Sequence, residues 1–93
     1  MIRSFKDKTT EAVFKGECPK GFPAEILNVA RRKLAMISAA KDLRDLLVPP
    51  RNKLEALKRD RIGQHSIRIN KQFRICFVWT PDGPRDVEIV DYH

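Results

Sequence analysis

The chain closes on Asp91, Tyr92 and His93, straight after the apolar run of Val87, Ile89 and Val90. An imidazole there titrates near neutrality and can give or take a proton at a surface. Ahead of it, Arg51, Lys53, Lys58, Arg59, Arg61, Arg68, Lys71 and Arg74 are opposed only by Glu55 and Asp60, so residues 51–74 hold +6 of the +7 formal charge. These residue types meet the needs of a ribonuclease that works without a metal. A base must take the ribose 2′-hydroxyl proton, an acid must protonate the leaving 5′-oxygen, and cations must surround the phosphorane-like transition state. Cations near His93 favour its neutral form, the form a base requires.

Each of these residues also has a plainer reading. A terminal histidine with nothing around it is a solvated end. Tyr92 either stacks on a nucleobase or packs its ring and hydrogen-bonds its hydroxyl. Arg74, flanked by Phe73 and Ile75 in mid-strand, is half buried and needs a partner, either Asp91 or a substrate phosphate. Lys58 and Arg61 follow a short strand and approach from the adjoining loop. His65 alternates with Gln64 and Ser66 and has a structural or edge role. Charge this concentrated favours a phosphate-binding face over a merely solubilising surface, because clustered Lys and Arg displace the counterions condensed on nucleic acid. An acidic protein partner fits the same patch.

The elements must bring these groups together. Ninety-three residues suit one domain, 1–93, with one modest core. No stretch is long and apolar enough to cross a bilayer, and Met1 to Lys8 lack the apolar segment of a signal peptide, so the expectation is a cytoplasmic protein. Cys18 and Cys76 have no metal-ligand spacing and are read as reduced, Cys76 as a small core residue. Ile2 to Phe5 reads as a short strand. A polar helix from Thr9 or Thr10 to Lys15 follows, capped by threonine. Pro23 opens a longer helix through Ala40, with Leu27, Ala30, Leu34 and Ile37 on its core face and Arg31, Arg32 and Lys33 pointing elsewhere. A further helical turn, Lys41 to Leu47, stops where Pro49 and Pro50 hold Val48 extended.

Beyond the prolines the period changes to two. Leu54 to Leu57, Gln64 to Asn70 and Phe73 to Thr80 read as strands, and the run through Val87 and Ile89 to His93 as the last. Phe73, Ile75, Phe77 and Trp79 share one face of their strand, with Trp79 and the phenylalanines assigned to the core; Arg74, Cys76 and Val78 share the other. Lys71-Gln72 and Pro81 to Pro84 are the turns of an antiparallel meander. The fold class is α+β, with the N-terminal helices packed on one face of a small, mainly antiparallel sheet.

KLEALKRDRIGQHSIRINKQFRICFVW, followed by DVEIVDYH, closely resembles HigB-type toxins of the RelE superfamily of bacterial toxin-antitoxin systems. MIRSF and RRKLAMISAAKDLRDLLVPPRNKLEAL are similar to the same subfamily, so the resemblance runs nearly end to end. It implies a RelE-like domain that enters the ribosomal A site and cuts mRNA by metal-independent 2′-hydroxyl attack, with no cofactor. The implied partners are a helix-turn-helix HigA-type antitoxin, the 70S ribosome with its mRNA, and operator DNA through the antitoxin complex, with no membrane. By the same resemblance His93 and Tyr92 do acid/base or orienting work, Arg74 and Lys58 stabilise charge, and Asp91 supports the pair. Arg51, Lys53, Arg59, Arg61, Arg68 and Lys71 then make RNA or rRNA contacts. Two positions depart from the pattern. Glu55 stands where some members carry histidine, which puts more weight on His93. Arg59 stands where LKGDR has glycine, and strains the loop by about 1 kcal/mol if a positive φ is needed there. The alternatives are a gyrase-binding toxin like the related ParE proteins, or a non-toxic regulatory subunit holding operator DNA or an acidic antitoxin segment.

Overall fold

The computed structural model describes residues 1–92. Helix α1 covers Lys8–Phe14 and α2 covers Leu27–Ala39. The strands are β1 (Glu55–Ala56), β2 (His65–Arg68), β3 (Phe73–Thr80) and β4 (Gly83–Asp91), antiparallel in the order β1-β2-β3-β4. The helices pack on one face of this sheet, as the α+β reading expects.

Helix α1 starts at Asp7 rather than at a threonine, because the Asp7 carboxylate accepts the Thr10 amide at 2.6 Å and supplies the cap itself. Thr10 is instead buried, and its hydroxyl accepts the Ile89 amide at 3.0 Å, tying α1 to β4. The longer helix begins with a 3-10 turn, Ala24–Ile26, before α2 settles into α geometry. Ala30, Leu34 and Ile37 meet Val13, Ile67, Ile75, Phe77 and Val87 in the core. Lys33 corrects the reading of the helix faces: it stands three residues after Ala30 and four before Ile37, on the buried stripe, and is only 6% exposed. The Lys41–Leu47 turn is 3-10, over Leu43–Leu47.

Strands β1 and β2 are shorter than the alternation suggested, β3 matches its expected limits, and β4 starts earlier than expected, at Gly83. Strand β2 stops at Arg68 because the Asn70 side chain accepts the amides of Gln72 and Phe73, each at 2.8 Å, and turns the chain. The Ile2–Phe5 strand reduces to a parallel bridge between Phe5 and Val87. Its partner is interrupted there: Asp86 has φ 52, and the β3–β4 register shifts between Cys76 and Val78. This bulge frees backbone groups, and Ser4 and Lys6 take them up. Gly83 and Pro84 already pair within β4 rather than forming the turn. A Cβ at Gly83, where φ is +126, would stand 2.5 Å from the Met1 carbonyl oxygen. Phe77 is wholly buried and Phe5, Phe22 and Trp79 flank the core, but Phe14 is exposed. The last strand ends at Asp91; His93 lies outside the described residues.

Candidate active site

Register places Glu55, Ser66, Cys76 and Glu88 in one row across the sheet face opposite the helices, with Arg68, Arg74 and Val90 in the next. The Arg74 guanidinium is fixed by two neutral acceptors: its Nε donates to the Ser66 hydroxyl at 2.7 Å and its Nη2 to the Lys53 carbonyl at 2.8 Å. A longer ion pair of 3.8 Å reaches the exposed Glu55 carboxylate. Asp91, one of the two partners the sequence offered for Arg74, receives the Gln72 amide on both carboxylate oxygens. Lys53 presents its carbonyl from a left-handed conformation (φ 47, ψ 53), a backbone state that costs a non-glycine residue about 1 kcal/mol or more. Arg74 is therefore held in a rigid frame with N–H donors left over for a ligand.

Around it lies a cavity of about 280 Å³ walled by Lys53, Arg68, Asn70, Lys71, Arg74 and Tyr92. Arg68 and Arg74 stand directly opposite each other in the β2–β3 register. No Asp or Glu is among the described residues of the cavity wall. Like charges opposed across two strands destabilise a sheet. The arrangement is suited to an anion that takes hydrogen bonds from both. Tyr92 sits just past β4, its amide bonded to the Gln72 carbonyl and its side chain exposed.

The family described as the RelE-like toxin of the type II toxin-antitoxin system HigB matches residues 3–93. This chain belongs to that family. Toxin HigB-1 of Vibrio cholerae is 39% identical over 80 residues, covering 85% of this chain and 84% of the relative. Endoribonuclease HigB of Proteus vulgaris is 31% identical over 93 residues and covers both chains completely. An uncharacterized protein of Haemophilus influenzae is 40% identical over 62 residues, 67% of this chain and 61% of its own length.

In this HigB-family toxin the other expected site residues are distributed unevenly. Lys58 and Arg59 are exposed on the loop between β1 and β2, where Arg59 has φ 60, the left-handed conformation that glycine favours. Arg61 on that loop is engaged: its guanidinium donates to Glu88 at 2.8 Å and to Gln64 at 3.1 Å, and this hydrogen bond with Glu88 holds its pKa above the ordinary value. Arg51 stands apart, in a second cavity. His65 stacks on Phe77 with ring centroids 6.4 Å apart, on the helix-facing side of the sheet, and its Nδ1 is buried without a hydrogen-bond partner among the described residues. Cys76 lies buried beneath the charged row, and desolvation pushes its thiol pKa up. Among the described residues no group of three or more His, Cys, Asp and Glu could hold a metal ion, and no helix is long and apolar enough to cross a membrane.

Sequence reasoning missed Lys33 and Asn52. Burial, and then the neighbouring Arg32, hold the Lys33 pKa below its ordinary value, and its ammonium donates to the Asn52 side-chain oxygen. The Asn52 amide nitrogen is itself committed to the carbonyls of Leu46 (3.1 Å) and Val48 (3.4 Å), which turns the oxygen toward Lys33. The spacing of Lys33 from Ala30 and Ile37 was the available signal.

Proposed function

We propose that this type II toxin is a ribosome-dependent endoribonuclease that cuts mRNA in the ribosomal A site. The observation that carries the proposal is the opposed pair Arg68 and Arg74 beside Tyr92, in a cavity whose described wall holds no carboxylate; the Glu55 carboxylate, 3.8 Å from Arg74, does not line it. An RNA phosphate seated there takes hydrogen bonds from both guanidiniums. The ribose 2′-oxygen attacks phosphorus and the P–O5′ bond breaks, leaving a 2′,3′-cyclic phosphate and a 5′-hydroxyl. A base accepts the 2′-hydroxyl proton and an acid returns one to the leaving oxygen. His93 and Tyr92 are assigned this work by family resemblance, with Asp91 in support. Arg74 meets the charge that develops on the phosphorane oxygens without reorganising, because Ser66 and Lys53 already hold it. Lys58, Arg59, Arg51 and Lys71 supply further contacts to RNA or rRNA. The toxin works in the cytoplasm, is neutralised by a helix-turn-helix HigA-type antitoxin, and joins it in repressing their operon.

Induced expression tests this reading. The wild type is expected to arrest growth with loss of full-length message, whereas His93→Gln at equal protein level permits growth. A fully toxic His93→Gln contradicts the assignment. Arrest with intact mRNA and an induced SOS response places the toxin with the gyrase poisons instead.

A further inference from the structure

Beyond the cavity at Arg74 lies a larger one, of about 430 Å³, in which Arg32 and Lys33 of α2 face Arg51, Lys53 and Arg68. Its size falls within the range of about 300–1,000 Å³ that small-ligand sites occupy. The two cavities share Lys53, Arg68 and Asn70, so one continuous trough leads from Tyr92 to α2. No carboxylate is among the described residues lining this second cavity, and none of its five cations, Arg32, Lys33, Arg51, Lys53 and Arg68, forms an ion pair with a described residue. The buried Lys33 ammonium rests on a neutral amide oxygen, one acceptor among the described residues for three N–H donors. A buried cation without a counter-charge is costly, and the cost falls when an anion binds. Val29 and Ile69 add an apolar patch to the same wall. Cations beside an apolar patch fit a nucleotide, whose phosphate is charged and whose sugar and base present a flat, weakly polar face.

We infer that this second cavity is a nucleotide subsite, holding the phosphate of an RNA residue next to the scissile one on Arg32, Lys33 and Arg51, with its sugar or base against Val29 and Ile69. The inference rests on the nuclease reading for the identity of the strand, and gives that strand a direction across the surface. Arg74 engages the reacting phosphate while α2 grips the neighbour, which fixes the in-line approach of the 2′-oxygen by anchoring both sides of the bond.

The test is fluorescence anisotropy of the full chain with 2′-O-methyl RNA, which cannot be cut, as a hexamer and as a dimer, over a range of salt. Arg32→Ala and Arg51→Ala alter exposed side chains. Each is expected to weaken hexamer binding by roughly five- to tenfold and to lower the logarithmic salt slope by about 0.7, the value of one phosphate contact on a single strand. The dimer, too short to span the trough, is expected to bind wild type and both variants alike. Hexamer affinity and slope unchanged in both variants overturn the subsite. So does a loss confined to antitoxin binding, which assigns the cavity to an acidic peptide. A failure of the nuclease reading shows separately, as uncut translated message with wild-type protein, and leaves the anisotropy comparison to be decided by its own slopes.

Discussion

Arg74 is the residue on which the site turns, and its neighbours show how strain and burial are spent around it. Lys53 and Arg59 both occupy left-handed backbone conformations, at φ 47 and φ 60, where glycine would sit without penalty. At Lys53 that conformation delivers the carbonyl that holds Arg74. Arg59 is exposed and its side chain forms no hydrogen bond or ion pair with a described residue, so Arg59→Gly is expected to stabilise the fold by about 1 kcal/mol, read as a higher urea midpoint at unchanged slope. An unchanged or lower midpoint would contradict the strain. Lys33 adds a pH signature. Its pKa is lower folded than unfolded, so from the folded value up to the unfolded value near 10.5 the unfolded chain binds more protons and stability rises with pH; below that window the burial penalty is present in full. Lys33→Met is expected to lose that part of the slope in urea titrations between neutral and alkaline pH. A slope identical to wild type would mean Lys33 is not the source.

The elements position the site through a few side-chain to backbone bonds rather than through long ladders. Thr10 gives α1 a fixed place on β4 by accepting the Ile89 amide, and Asn52 pins the Leu46 and Val48 carbonyls next to the cationic trough. Thr10→Val keeps the shape but leaves the Ile89 amide unbonded, so a loss of about 1–3 kcal/mol in unfolding free energy is expected. A loss near zero would mean water or a shifted α1 replaces the bond. These bonds also mark what the sequence could reveal. Strand β3 was legible to the residue because its alternation is unbroken and turn residues flank it, and the Ala30, Leu34 and Ile37 stripe was legible from its period. The bulge at Asp86, the Asn70 turn and the shift of the α1 cap to Asp7 were not, since each depends on a short polar side chain meeting a particular backbone group. Arg74 could be singled out as a buried charge needing partners. Its partners, Ser66 and the Lys53 carbonyl, follow from strand register and a left-handed φ that no local pattern announces.

At the scale of the whole molecule, the helices and core lie on one side of the sheet and the charged row on the other, with a continuous cationic trough running from Tyr92 to α2. The basic residues of 51–74 thus include Arg74, the proposed reacting centre, Lys58 and Arg59 on a loop, and those lining the trough. Such a distribution favours a polyanion followed over several residues rather than a single small anion. The central claim is that this surface cuts mRNA on the ribosome, and primer extension on a defined message tests it most directly, in a reconstituted translation system with and without ribosomes, comparing wild type with Arg74→Ala and His93→Gln. The account predicts cuts within A-site codons that require ribosomes and disappear in both variants. An intact message in every lane, or cuts that persist undiminished in Arg74→Ala, would contradict it.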